Sequence, residues 1–550
     1  MNLMCSITMG MPTLVDFWLS VVASLITTLF VTIMATNFFH ILQLSGYKLK
    51  GYTDYFKQTK FASIGRLAII SILAAGAMVI TNVLLEQLLV GRALKYASII
   101  FFFIFCLVYV VNMYGVPQKT PIKYTKRMTR LIIVFAIICF VSGVALQYLT
   151  VLCVPYFTAG GVLVLPLLLP VFVIVTHGVT LPVENIISKS YIKRAKAKLL
   201  NYPNLKVVGV TGSYGKTTVK NIIASILAEK YKVCVSPFSY NTPLGLTKTI
   251  LENLNTDDQI LVCEMGARNP GDIAELCEMV SPDVGVITGI GNQHLATFKT
   301  VENLINTKAE LARFIEKNDG YLVVNVESSG AKQIFDKTNC TKVAIGGENS
   351  SIVAENIVAT KDGSKFELVI GGKRVGRVET VLLGEHNVSN ILLAVAVAQK
   401  LGLSEKEIVD GIKRIIPVSH RLAIVPSNNA LVVIDDAYNG SVEGTKSALN
   451  VLSKFEGRKV VITPGLVELG NEQFNANFEF GRDMAKVSDY VIVTGIINWE
   501  AISTGLEFAG FDKTKIIRAG SLNQAVSMLP SITNPGDVVL FENDLPDNYL

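Results

Sequence analysis

The sequence is short of charge. Only 17% of its 550 residues are Asp, Glu, Lys or Arg, where soluble domains carry about a quarter. The deficit excludes an evenly solvated chain, because half of the residues are hydrophobic and the excess sits before about residue 180. The formal charge of +6 is small and calls for no nucleic-acid partner. The eight cysteines include no CxxC pair, so no metal or redox framework is expected, and all eight read as reduced and structural. The first apolar run has no basic segment ahead of it and no small-residue cleavage site behind it, which excludes a cleaved leader. The length alone points to roughly three to four domain-sized units.

What is there begins with five apolar runs, near residues 13–37, 67–90, 96–114, 129–150 and 156–178. A membrane-spanning helix needs about 20 apolar residues. Buried core helices would also be apolar, but five in succession argue for spans. Loop charge sets their orientation. Lys48, Lys50, Lys57, Lys60 and Arg66 follow the first run. Lys119, Lys123, Lys126, Arg127 and Arg130 follow the third. Lys189, Lys193, Arg194, Lys196 and Lys198 follow the fifth. The other loops are short and nearly balanced. Basic loops thus alternate, which places the N-terminus outside and everything after the fifth run in the cytoplasm. The aromatic residues Tyr47, Tyr52, Tyr55 and Phe56 read as an interfacial belt.

The next stretch is of another kind. LKVVGV (Leu205 to Val210) reads as a buried strand, then GSYGKTT follows, then Val219, Ile222, Ile223, Ile226 and Leu227 repeat at helical spacing. Strand, glycine-rich turn and helix form the setting of a phosphate loop. Its backbone N–H groups and helix N-terminus would face an anion. Gly212, Ser213, Tyr214, Gly215 and Thr218 line the turn, Lys216 would neutralise the outer phosphates, and the Thr217 hydroxyl would meet Mg²⁺. The strict spacing fails, because the residue six before Lys216 is Val210 rather than glycine.

Further strands, QILVCEM, DVGVITGI and GYLVVNV, alternate with helical patterns, which argues for a parallel α/β sheet. Ligands bind such sheets beyond the strand ends. Glu264 and His294 lie just past strands and are Mg²⁺ candidates. Residues 340–382 read as short β segments accessory to the same domain. A second α/β pattern follows the turn at Pro417, with strands in ALVVIDDAYNG, RKVVITPG, DYVIVTG and GDVVLFEN.

The ordered set of motifs resembles the Mur ligase family, the ATP-dependent amide ligases of bacterial cell-wall synthesis, and within it the branch that adds D-alanyl-D-alanine. The matching pieces are GVTGSYGKTT, NTPLG (241–245), EMGARNPGDIAEL (264–276), TGIGNQHLATF (288–298), NTKAEL (306–311), GEHNVSN (384–390), HRL (420–422), IDDAYNG (434–440) and PGLVELG (464–470). The resemblance covers roughly residues 200–550. It implies that Glu264 and His294 hold metal beside the reacting carboxylate and that Lys308 matches a lysine carbamylated in several members. It also implies that Asn387 and Asn390 face the nucleotide, and that Arg421 and Asp436 reach ATP from the C-terminal domain. Lys216, His294, Lys308 and Arg421 would be the catalytic set. In such an enzyme the γ-phosphoryl group of ATP activates a carboxylate as an acyl phosphate, which an amine then attacks.

The resemblance has departures. SVEG follows IDDAYNG where the branch has Asn-Pro, NVESS replaces an Asn followed by an Asp pair, and FENDLPDNYL replaces a Lys-Gly-Ser ending. No counterpart of the family's UDP-sugar-binding domain precedes residue 200.

The expected architecture is therefore a five-helix membrane domain (1–185), a basic juxtamembrane linker (186–200), a central ATP-binding α/β domain (201–417) and a C-terminal Rossmann-like α/β domain (418–550). The expected activity is ADP-forming amide ligation with ATP and Mg²⁺, at the cytoplasmic face of the plasma membrane. An amino acid or dipeptide would be joined to a carboxylate on a lipid-linked cell-wall precursor. Competing readings are D-Ala-D-Ala addition to a soluble UDP-muramoyl tripeptide, a poly-γ-glutamate-type polymer ligase and, from another class, an ATP-driven transporter. The transporter is disfavoured by the scarcity of polar residues in the runs (Asp16, Asn37, Asn82) and by the single phosphate loop.

Overall fold

The computed structural model describes residues 14–58, 121–153, 165–291, 295–348, 350–427, 430–438 and 440–544, with a few single positions between 65 and 107. The chain forms two compact units that divide at Ile187/Ser188.

The described part of the first unit is helical. Among the described residues, three helices are long and apolar enough to cross a membrane: Ser24–Leu44, Lys126–Leu146 and Leu165–Leu199. They take up the runs expected at 13–37 and 129–150 and the second half of 156–178. The runs at 67–90 and 96–114 lie outside the described residues, apart from isolated positions. The loop-one aromatics differ from expectation. They sit on an amphipathic helix, Leu49–Gln58, where Tyr52 and Phe56, four residues apart, share one face. Both are buried, and their rings pack edge to face at 4.9 Å, so they belong to the unit's core rather than to an exposed belt. Arg130 forks onto Glu184 through Nε at 2.6 Å and Nη2 at 2.9 Å. This pairing offsets the cost of a carboxylate on an apolar helix.

The basic segment read as a linker is helical to Leu199. Its Ile, Ala, Lys and Arg residues are tolerant or good helix formers, and no Gly or Pro interrupts them after Pro182.

Among the described residues, the second unit holds two six-stranded sheets and one three-stranded sheet. The first comprises β1 (Lys206–Thr211), β2 (Val233–Val235), β3 (Ile260–Glu264), β4 (Val284–Ile287), β5 (Tyr321–Asn325) and β6 (Thr341–Ile345). Its order is β2-β3-β1-β4-β5-β6, and every pairing is parallel. The central strands are buried on both faces, which is why ILVC and VGVI read as unbroken apolar runs. One face packs on the helices Lys216–Leu227 and Glu385–Lys400, the other on Asp272–Val280 and Val301–Lys317. The antiparallel sheet β7 (Ile352–Thr360), β8 (Gly363–Ile370) and β9 (Lys373–Thr380) contributes Ile352, Phe366, Leu368 and Val378 to the first of these cores.

The second six-stranded sheet comprises β10 (Ala423–Val425), β11 (Val432–Asp436), β12 (Lys459–Thr463), β13 (Tyr490–Thr494), β14 (Ile516–Ala519) and β15 (Val538–Glu542). Its order is β10-β11-β15-β12-β13-β14, with only the β10 edge antiparallel. β15 lies between β11 and β12, so the last strand among the described residues is central. The short strands β2, β10 and β14 carry three or four residues each, too few to print a period on the sequence.

Candidate active site

The strand β1 is central in its sheet and delivers the phosphate loop to the strands' carboxyl edge. Two glycines make the loop possible. Gly215 caps the following helix at φ 75°, a left-handed backbone that side-chain-bearing residues avoid. Gly212 has φ 152°, and a Cβ there would stand 2.1 Å from Thr288 Oγ1. The loop is tied down by Ser213, whose N–H donates to Gly289 O at 2.7 Å and whose hydroxyl donates to Gly291 O at 3.0 Å. The Thr288 hydroxyl donates to the Tyr214 carbonyl. Thr218 follows in the first turn of the helix.

The charged groups converge on this loop. Lys216 Nζ donates to Ser213 O at 2.8 Å. Burial, reinforced by nearby Arg421 and opposed by Glu264, pushes its ammonium down to about 8. Glu264 ends β3 and is buried. Its Oε2 accepts the Thr217 hydroxyl at 2.8 Å and its Oε1 accepts Asn241 Nδ2 at 2.9 Å. Lys308 is buried on the helix Val301–Lys317. Burial first, then Lys216, pushes its amine down to about 7. A neutral amine near pH 7 is what carbamylation by CO₂ requires.

The remaining expected residues divide. Asn390 Oδ1 stands beside the phosphate loop, 3.1 Å from where a Cβ on Gly215 would be. Asn387 turns inward instead: its Nδ2 donates to Leu383 O at 2.8 Å, and its Oδ1 accepts Asn390 Nδ2 at 3.0 Å. It therefore orients Asn390 rather than facing the site. Arg421 stacks on Tyr438, 4.3 Å from the ring centroid, within electrostatic reach of both Lys216 and Asp436. Asp436 Oδ1 accepts the Leu422 N–H at 3.1 Å, which pins the turn that carries Arg421. His294 lies outside the described residues.

Three groups here were not expected from the sequence. Lys220 is fully buried. Its Nζ donates to Ser236 O at 2.6 Å and to Phe238 O, and stands 3.6 Å from Glu264 Oε2. A lysine between Val219 and Ile222 on an otherwise apolar helix face was the signal for it. Asn241 sits in NTPLG, a piece of the resemblance given no role. Glu542 ends β15, inside the segment where the resemblance fails.

The donor set fits Mg²⁺. That ion is typically held by one or two carboxylates together with phosphate oxygens and water. Beside a loop built for phosphate the chain offers the buried carboxylate of Glu264 and the Thr217 hydroxyl. Among the described residues no cluster of three His, Cys, Asp or Glu would make a phosphate-independent metal site.

A parallel nucleotide-binding sheet, a phosphate loop and a second α/β domain whose arginine turns toward that loop define an ATP-dependent ligase of two-domain type. The comparisons with known proteins agree. Residues 210–398 match the Mur ligase middle domain, and residues 420–542 match the Mur ligase, glutamate ligase domain. The chain is 28% identical over 380 residues to the UDP-N-acetylmuramoyl-tripeptide--D-alanyl-D-alanine ligase of Mycobacterium leprae, covering 64% of this chain and 73% of that one. It is 30% identical to the enzyme of the same name from Haemophilus influenzae, covering 57% and 69%. The crystal structure of MurF from Thermotoga maritima with ADP superposes with a TM-score of 0.58 at 27% identity, covering 65% of this chain and 80% of that one. The chain belongs to the Mur ligase family. It is an ADP-forming amide ligase that uses ATP and Mg²⁺.

Proposed function

We propose that this ligase joins a D-alanyl-D-alanine-type dipeptide, through its free amine, to the terminal carboxylate of a muramoyl-peptide precursor. The single observation that carries the reading is the arrangement at the loop: Lys216, Lys308 and the Thr217–Glu264–Asn241 set converge where a γ-phosphate and a carboxylate would meet. Relatives 28–30% identical to this chain are named for that reaction.

A carboxylate is a poor electrophile, and an acyl phosphate is a good one. The chain's part is positioning and charge cancellation. Lys216 and the loop N–H groups would hold the phosphates, while Arg421 would add positive charge from the second domain. Glu264 would hold Mg²⁺, which when bound supplies further neutralisation of the phosphate charge. Packing of the second domain over the loop would keep water from the activated acyl group.

The setting is the cytoplasmic face of the plasma membrane, with the N-terminus outside. The three apolar helices and the basic segments beside them support this placement. The same helices favour a second reading of the acceptor, a carboxylate on a lipid-linked precursor rather than on a UDP-sugar.

One assay separates these readings. Full-length protein in detergent is supplied with ATP, Mg²⁺ and D-Ala-D-Ala, plus either UDP-muramoyl tripeptide or its polyprenyl-linked counterpart. ADP release and product mass are followed. A dipeptide mass gain on the UDP form supports the first reading. A gain confined to the lipid-linked form replaces it with the second. ADP release with no ligated product on either form, across a panel of amines, overturns both.

A further inference from the structure

The C-terminal ends of β11 and β15 lie side by side in register, Asp436 opposite Glu542. Both side chains leave the same edge of the sheet. Asp436 is half-buried, and Glu542 beside it is fully buried. Neither carboxyl oxygen of Glu542 meets an N–H or O–H donor. The group within hydrogen-bonding reach is another acceptor, the carboxyl of Asp436.

Two carboxylates in contact, one of them fully buried and without any other donor, strongly disfavour being ionised together. A proton has to lie between them, and the more buried group is the one that keeps it. We infer that Glu542 is held as the neutral acid and donates its carboxyl proton to Asp436, so that Asp436 is presented to Arg421 and to the nucleotide as an oriented anion. Glu542 is then a positioning residue that acts through Asp436. This holds whichever amine and acceptor the enzyme joins.

The surroundings agree. Burial first, then Asp436, pushes Glu542 well above the usual carboxylate range. Burial also raises Asp436, to about 6, against the lowering effects of Arg421, the Leu422 N–H and the bond from Glu542. Asp435 on the same strand acts in the raising direction, and its own outer oxygen is taken by His420 Nδ1 at 2.7 Å. The adjoining β12 ends in the uncharged Thr463. Arg421 is therefore the only cation acting directly on the pair among the described residues, and it acts on Asp436.

The sign follows. Removing the donor raises Asp436 further, so its anion is lost at higher pH. An amide at position 542 still donates and leaves the anion in place. A cation there extends the anion to lower pH.

The test measures binding of Mg-ADP to the full-length protein in detergent by calorimetry between pH 5.5 and 8.5. The wild type is compared with Glu542→Gln, Glu542→Met and Glu542→Lys. Titration of ADP itself is common to all four and cancels in the comparison. The Met variant is expected to bind roughly five- to tenfold more weakly than wild type at pH 5.5, as follows if the Asp436 carboxyl becomes about tenfold less acidic, and to approach it at pH 8. The Gln variant is expected to follow the wild type across the range. The Lys variant is expected to retain binding to lower pH. If Gln weakens binding as Met does, Glu542 acts as an anion and the inference is wrong. If all three variants keep the wild-type acid profile and differ only in melting temperature, Glu542 is mere packing and the inference is equally wrong. The Gln and Lys arms decide the matter even where the Met variant does not fold.

Discussion

Thr217 Oγ1 donates to Glu264 Oε2 at 2.8 Å, so a hydroxyl from the phosphate loop and a carboxylate from the neighbouring strand already touch. β1 and β3 are paired in parallel, with Val210 opposite Glu264, and this register sets the contact. The second oxygen of Glu264 is held by Asn241 at 2.9 Å. The carboxylate is thus oriented from both sides before any metal arrives.

Asn241 never has to touch the ion to matter. Partners that orient a ligating carboxylate typically affect metal affinity or activity by about 10–100-fold. Asn241→Ala is expected to raise the Mg²⁺ concentration for half-maximal turnover by that order, with a much smaller change in rate at saturating Mg²⁺. A titration of ADP release against Mg²⁺ checks this. An unchanged Mg²⁺ dependence would remove Asn241 from the site.

Lys216 carries a pH prediction. Its ammonium is pushed down to about 8 in the nucleotide-free protein. Only the charged form attracts phosphate, so the contribution of Lys216 to ADP affinity is expected to be full below about pH 8 and to fall as pH rises through it. Above that point the decline approaches about tenfold per pH unit. Binding at pH 8–9 should be accompanied by proton uptake, seen as a calorimetric heat that varies with buffer ionisation enthalpy. Lys216→Met should bind weakly at all pH values and take up no proton at this position.

Lys220 is the structural counterpart of Lys216. It is buried, holds the carbonyls of Ser236 and Phe238, and lies 3.6 Å from Glu264. Removing one partner of a buried ion pair leaves an uncompensated charge and costs about 3–5 kcal/mol. Lys220→Met is therefore expected to lower the melting temperature by several degrees and to weaken ATP turnover with it. Lys220→Arg cannot reproduce both carbonyl bonds from the same point, so it should rescue little. Thermal melts of the two variants beside wild type decide this.

How much of this was legible follows from local pattern. The strands β1, β3, β4 and β5 were readable because parallel strands buried on both faces are unbroken apolar runs. Lys216 and Thr217 were readable because the loop binds by backbone geometry, which constrains glycine spacing. Glu264 was readable as the polar residue closing such a run. Lys220 and Asn241 were not given roles, since their partners are carbonyls and a carboxylate set by tertiary packing, which leave no periodic trace. Tyr52 and Phe56 were placed at an interface because aromatics next to lysines look the same in a loop and on an amphipathic helix. Glu542 was legible only as a departure; its meaning depends on β15 lying beside β11, a pairing of residues more than a hundred positions apart.

Lys308 shows where stability yields to chemistry. Its amine is pushed down to about 7 inside the fold, chiefly by burial, against an ordinary value near 10.4 in the unfolded chain. Between those two values the unfolded state binds the extra proton, so stability rises with pH across that window. Below about 7 the lysine is protonated in both states and the full penalty remains. Even a hundredfold loss of proton affinity on folding amounts to about 2.7 kcal/mol. Lys308→Met keeps the bulk and removes the charge. It is expected to raise the melting temperature of the nucleotide-free protein at pH 7, with the gain shrinking toward pH 10, while ligase turnover is lost. Melts at pH 7, 8.5 and 10 measure the first part, and ADP release measures the second. A variant that is destabilised at pH 7 would mean that Lys308 is held by favourable contacts, and that its buried amine is not kept at the cost of the fold.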